Sequence, residues 1–144
     1  MSKRQGVHQA RTLARRKALQ VLYQSEITGI PISRILEEGL CVEEVGLLCD
    51  FTKMLLVGTS EHIEEVDELI AETSENWSLE RMPLVDKSIL RLATFEMIHV
   101  DDVPCSVSIN EAVELAKDFG GEDDSSRFVN GVLGKIADYL EETS

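Results

Sequence analysis

Apolar residues recur along most of this chain at three- and four-residue intervals, the period of an amphipathic α-helix, and nowhere settle into the two-residue alternation of a strand. The spacing predicts an all-α bundle of about seven helices, with Gly and Pro falling where helices should end. A first helix is expected over residues 8–28, stopped by Gly29 and Pro31, with Ala14, Ala18, Val21, Leu22 and Ser25 facing the core. Arg11 and Arg15 share the meridian of Ala18 and Leu22, so the first turns are expected to project past the core with their charges in water. Arg16, Leu19 and Tyr23 form a second line down the flank. A short helix is expected over residues 32–40, capped by Ser33 and closed near Gly39, and a longer helical region over residues 43–75, with Gly58, Thr59 and Ser60 as its point of division. Val45, Leu48, Leu55, Leu56, Ile63, Val66, Leu69 and Ile70 are the apolar positions of that region.

Beyond Trp77, Ser78 suits the cap of a short turn and Pro83 the first turn of a helix whose stripe is Leu84, Ile89, Leu90, Leu92, Ala93 and Met97. Arg81 and Arg91 flank Asp86, which suggests ion pairing at the border of that helix. The next stripe is Val107, Ala112, Val113, Leu115, Ala116 and Phe119, with Glu111, Glu114, Lys117 and Asp118 facing away. Ser108 followed by Glu111 reads as a capping box, Gly120 and Gly121 as a stop, and Asp123 or Asp124 as the cap of the last helix. In that helix Val129, Val132, Leu133, Ile136 and Leu140 share a broad face, with Phe128 at its margin, where it serves either as peripheral core or as an exposed ring.

Composition bounds the class of protein. A chain of 144 residues can bury about 70% of its unfolded surface in a single core, so the expected organisation is a flexible basic segment, residues 1–7, followed by one all-helical domain, residues 8–144. Cys41, Cys49 and Cys105 are odd in number, lack CxxC spacing and follow no secretory leader, which points to a reducing cytoplasm and to buried thiols acting as small hydrophobes. No apolar run is long enough to span a bilayer, so no membrane association is expected. The net charge of -13 conceals an asymmetry: Lys3, Arg4, Arg11, Arg15, Arg16 and Lys17 give +6 before the first acid, Glu26, and everything after Lys17 sums to -19. A positive end on an acidic body attracts a phosphate backbone and confines where it docks. Arg16 and Tyr23 on one flank pair a cation for phosphate with a ring for an unpaired base, although a Tyr at a helix margin also serves as simple packing.

Catalytic chemistry finds no support. His8, His62 and His99 fall in separate helices without HExxH or CxxC context, so no metal set is predicted and His62 needs no special role. No phosphate loop, GxSxG or Ser-His-Asp order can be traced, and the plentiful carboxylates, including the face Glu61, Glu64, Glu65, Asp67, Glu68 and Glu72, fall on solvated sides. The expectation is a non-enzyme with no cofactor.

Three blocks, ARRKALQVLYQSE, WSLERMPLVDKSILRLATFE and VSINEAVELAKDFG with SSRFVNGVL, resemble in order and spacing the NusB family of bacterial transcription antitermination factors, over nearly the whole chain. The resemblance implies an all-α, cytoplasmic, non-enzymatic RNA-binding protein. Its implied partners are the ribosomal protein NusE, boxA RNA on the nascent transcript, and other Nus factors with RNA polymerase, promoting read-through in ribosomal RNA operons. By position it implies RNA contacts from Arg11, Arg15, Arg16 and Lys17, with Lys3 and Arg4 as auxiliary phosphate contacts, Tyr23 and Phe128 toward bases, and Asp124 as a charge that opposes RNA and moderates affinity. It implies NusE contacts at Glu80, Asp86 and Arg91. Position 16, commonly acidic in the family, is Arg here, and position 95, commonly Tyr, is Phe.

Two other readings compete. A protein-only adaptor would use its acidic helices to hold a basic partner. An RNA-binding module fused to a methyltransferase would need a nucleotide-cofactor domain, for which 144 residues leave no room. A homodimer is permitted by the apolar helix margins but not required by them.

Overall fold

Prolines and glycines set several of the helix boundaries, and the residues between them carry the 3.6-residue apolar repeat that packing needs. The structure, a computed structural model, describes residues 3–74, 78–120 and 124–143, with side chains from residue 6 onward. Among the described residues there are seven α-helices and no strand: α1 Lys3–Thr28, α2 Ile32–Glu38, α3 Asp50–Glu61, α4 Ile63–Thr73, α5 Leu84–His99, α6 Cys105–Phe119 and α7 Ser125–Thr143. Single 3₁₀ turns occupy Glu43–Val45 and Leu79–Arg81. The all-α expectation is met. No described helix is long and apolar enough to cross a membrane. Trp77, Gly121 and Asp123, assigned to starts and stops above, lie outside the described residues. The chain divides into two compact units, Met1–Ser60 and Glu61–Ser144, taken here in turn.

In the first unit α1 begins at Lys3, five positions before the expected start. Lys and Arg are good helix formers that leave no apolar repeat to announce them. The helix buries Ala14, Ala18, Val21 and Leu22 as anticipated, and also Leu19, which was placed on the flank. Its stripe is wider because both α2 and the Glu43–Val45 turn pack on α1. Gly29 and Gly39 end α1 and α2 with φ of 75° and 63°, a left-handed conformation that an L side chain resists. The cap of α2 is Pro31, not Ser33: its carbonyl accepts from the amides of Arg34 and Ile35 at 3.1 and 3.0 Å. Gln24 clamps the following loop, donating to the Leu40 carbonyl at 2.7 Å and accepting from the Val42 amide at 3.2 Å. Helix α3 continues through Gly58 and Thr59, and the break comes at His62 instead: Thr59 is fully buried, and Gly58 costs an interior helix position only a fraction of a kcal/mol to about 1 kcal/mol. The Thr52 hydroxyl ties α3 to α1 by donating to the Ala14 carbonyl at 3.0 Å. The three cysteines are free, but none is the buried hydrophobe expected: Cys41 and Cys105 are half-buried and Cys49 is exposed.

The second unit is built around α5, which packs against α4, α6 and α7 and is buried on nearly every side from Ser88 to Met97. An all-round buried helix must satisfy its polar groups internally. Glu96, 1% exposed, accepts from the Ser108 hydroxyl of α6 at 2.8 Å. That bond occupies the Ser108 hydroxyl, so Ser108 is not the cap expected at the start of α6; Pro104 holds that position, and Glu111, expected to face away, is buried. Arg91 reaches from α5 to α4, its guanidinium forming two bonds to the Asp67 carboxylate at 2.8 and 2.9 Å. Asp67 is therefore part of a half-buried fork pairing and not of a purely solvated acidic face. At the end of α6, Gly120 lies so close to the start of α7 that an added Cβ would meet the Ala116 carbonyl oxygen at 2.5 Å and the Ser125 Cβ at 2.7 Å. The amide of Phe128 then donates to the Asp124 carbonyl at 2.9 Å as α7 begins. Val129, Val132, Leu133 and Ile136 are its buried stripe, with Leu140 half-buried.

Candidate nucleic-acid interface

In the first unit the cationic residues of α1 divide by their surroundings. Arg11 and Arg15 lie one turn apart and both face the Phe51 ring of α3, at 4.5 and 5.4 Å from its centroid. Arg15 is only 4% exposed, so its charge is not in water as expected; the ring and α3 cover the meridian that the sequence left open. Guanidinium planes tolerate such burial because they are weakly hydrated and stack on aromatic faces for about 0.5–2 kcal/mol. Lys17 folds onto the loop before α3 and donates to the Leu47 carbonyl at 2.9 Å. Arg16 is half-buried on another side of the helix, and Tyr23, farther along α1, leaves 40% of its surface exposed. The side chains of Lys3 and Arg4 lie outside the described residues, although their backbone is helical.

In the second unit a cavity of about 530 Å³ gathers Arg81, Pro83, Asp86, Asp124, Ser125, Arg127 and Phe128. The Leu79–Arg81 turn and Pro83 aim one wall, and the first turn of α7 supplies the other. Asp86 sits in the first turn of α5, where the helix dipole favours a carboxylate, and is 3% exposed. Its Oδ2 accepts from the Ser125 hydroxyl at 3.3 Å, which joins α5 to α7 across the base of the cavity. Phe128 is half-buried, its ring neither fully core nor fully free. Asp124 and Arg127 stand at the rim, 84% and 88% exposed, with the Arg127 Nη1 4.0 Å from the Asp124 Oδ1. The cavity thus offers an aromatic ring, two cations and two carboxylates, Asp86 buried and hydrogen-bonded to Ser125 and Asp124 exposed at the rim, in dimensions that suit a single nucleobase with its phosphate.

Of the predicted site residues, the structure brings Asp86, Asp124 and Phe128 together and gathers Arg11, Arg15 and Lys17 around α3 and its loop. Glu80 is exposed on the turn before α5, whereas Arg91 is on the side of α5 that meets α4. Sequence reasoning missed Phe51, Arg127 and a ligand role for Arg81. Arg127 precedes Phe128 directly, so a search for cations beside candidate rings would have found it; nothing in the sequence ties Phe51 to a position forty residues away on α1.

Comparison with known proteins bears on this arrangement. Residues 12–138 match the model of the NusB family. The transcription antitermination protein NusB of an Exiguobacterium species is 46% identical over 123 residues, covering 85% of this chain and 93% of that protein. A solved structure described as a plectonemic RNA supercoil contains a chain of TM-score 0.82 and 29% identity, covering 93% of this chain and 98% of its own. A chain from a structure of the antitermination factors NusB and NusE in complex with double-stranded RNA has TM-score 0.78 and 28% identity, covering 90% of this chain and 96% of its own.

Proposed function

The chain belongs to the NusB family, and we infer from this that it is a transcription antitermination factor that binds RNA together with NusE. The observation that carries the reading is the family match across residues 12–138, which includes the α1 cations from Lys17 back to Arg15 and the whole rim of the second-unit cavity. The role it implies is one of binding and assembly without catalysis, in the cytoplasm, in complexes that include the other Nus factors and RNA polymerase. The RNA element is boxA in the nascent transcript of ribosomal RNA operons, and the two compact units act together as one RNA-binding domain.

The surroundings of each side chain support a proposed role for it. Arg11 and Arg16, with Lys3 and Arg4 upstream, contact phosphates and supply affinity that falls with salt. Arg15 holds Phe51 and the α1 surface in place, and Lys17 fixes the loop before α3. Tyr23 and Phe128 stack on unpaired bases, and Arg127 and Arg81 draw the adjoining phosphate while Asp124 limits how tightly it is held. Glu80 offers an exposed acid to NusE, with Asp86 and Arg91 setting the geometry of the helix behind it.

Fluorescence anisotropy with labelled boxA RNA and a scrambled control, each with and without NusE, tests the reading. The expected result is preferential binding of boxA that tightens when NusE is added. Tyr23→Ala should weaken boxA binding by about 10- to 100-fold, the worth of one stacked base, while sparing the scrambled RNA. Capture of NusE with no RNA binding in any arm would leave the protein-only adaptor as the account.

A further inference from the structure

His62, Glu65 and His99 lie outside both regions described above, and the fold assembles them from two helix ends. His62 is the residue before α4, and its ring makes no capping bond to that helix. Glu65 follows three positions later on the same side, and His99 is the last residue of α5. Their donor atoms all lie within 4.8 Å of one another. The His99 Nε2 is 2.6 Å from the Glu65 Oε1, and the His62 Nδ1 is 3.8 Å from the same oxygen. From this geometry we propose that the three side chains form a binding site for a divalent transition metal of the zinc class.

Zinc bonds of about 2.0–2.2 Å in tetrahedral arrangement set neighbouring donor atoms about 3.3–3.5 Å apart. The two separations from the Glu65 oxygen bracket that spacing, and all three donors lie within 4.8 Å of one another, so the movement needed to close the site around an ion is small. The donor set selects the metal. Two imidazoles and one carboxylate suit zinc, cobalt or nickel, whereas calcium and magnesium take all-oxygen shells. Three protein ligands leave a coordination position for water. Glu65 and His99 already touch, and binding turns the Glu65 oxygen and a ring-nitrogen lone pair of His99 from each other to the ion.

The surroundings hold the rings in place. Phe95, 4% exposed, stacks with the His99 ring at 5.2 Å between centroids and contacts the His62 ring at 5.9 Å, while the two imidazoles lie 4.1 Å apart. A rigid aromatic backing reduces the rotamer entropy lost on binding. Exposed Glu61, Glu64 and Glu68 nearby on the chain add a negative field, as does the C-terminal dipole of α5, while Glu65 offsets the opposing N-terminal dipole of α4. An ion here clips the start of α4 to the end of α5, the helix at the centre of its unit. The proposal is independent of the RNA reading.

The test uses the full chain stripped with a chelator, titrated with zinc chloride by calorimetry and with cobalt(II) by absorption spectroscopy. We expect one equivalent of zinc bound, a rise in Tm, and a cobalt spectrum without a thiolate charge-transfer band. His99→Gln and Glu65→Gln, both at exposed positions, should each lower zinc affinity by at least about tenfold while leaving the circular dichroism unchanged. Replacing Cys41, Cys49 and Cys105 together by Ser should leave affinity unchanged. No saturable zinc uptake, equal affinity in His99→Gln, or loss of binding in the cysteine-free variant would each overturn the proposal.

Discussion

Arg15 and Arg16 are neighbours in the sequence, both cationic, yet they have different surroundings, and the different roles proposed for them can be measured. Arg15 is 4% exposed with its guanidinium 5.4 Å from the centre of the Phe51 ring. Truncating it to Ala removes two buried methylenes, Cγ and Cδ, about 1.6 kcal/mol at roughly 0.8 kcal/mol each, and a stacking contact of about 0.5–2 kcal/mol. The relief of desolvating a charge offsets part of this, so the net loss should be about 2–3 kcal/mol. Arg15→Met keeps the apolar stem and should recover about half of that loss. Arg16→Ala, at a half-buried position outside the core, should cost clearly less than Arg15→Ala, about 1 kcal/mol or below. RNA binding should show the reverse order. With both variants held well below their unfolding midpoints, Arg16→Ala should flatten the slope of log affinity against log salt by about 0.7, one phosphate contact on a single strand, and Arg15→Ala should leave the slope unchanged. Urea unfolding and anisotropy across a salt series supply the two readouts. An Arg15→Ala protein of native stability whose salt slope falls by about 0.7 would refute the division of roles.

Further predictions concern the second unit. Asp124→Asn removes an exposed negative charge from the cavity rim and should tighten RNA binding about 2- to 5-fold at low salt, fading as salt screens it; anisotropy at two ionic strengths checks this. Gly120→Ala would place a Cβ 2.5 Å from the Ala116 carbonyl oxygen, which is backbone and cannot step aside, so it should cost at least about 2 kcal/mol in urea unfolding. Ser108→Ala leaves the Glu96 carboxylate buried without its hydroxyl donor and should cost about 1–3 kcal/mol by the same assay, with RNA affinity unchanged.

Much of this molecule can be read from the chain because its information is local. The stripes of α5 and α7 are written in Ile89, Leu90, Leu92, Val129, Val132, Leu133 and Ile136, and all of these are buried. Pro31, Pro83 and Pro104 stand just before the helices they start, and Gly29, Gly39 and Gly120 just after those they end. What could not be read depends on contacts distant in sequence. Arg15 does lie on the meridian of Ala18 and Leu22, but only the position of Phe51 decides whether that meridian ends in solvent or under a ring. Ser108 and Glu111 mimic a capping box because a polar pair at that spacing looks alike at a helix start and buried within a helix, where Ser108 bonds to Glu96 of α5. His62 and His99 are 37 positions apart, and no periodicity joins the residue before one helix to the last residue of another. Of the proposed RNA site, the cations of α1 and the ring at Phe128 are visible as residue types, whereas the cavity that gathers Phe128 with Arg81 and Arg127 is a product of folding.

The salt dependence of boxA RNA binding by the chain alone is the most direct test of the claim that a cationic helix grips a polyanion against an acidic body. Four phosphate contacts from α1, at Lys3, Arg4, Arg11 and Arg16, and one more drawn by Arg81 and Arg127 predict a slope of log affinity against log salt of about -3 to -3.5. A slope near zero, with binding to boxA intact, would contradict it.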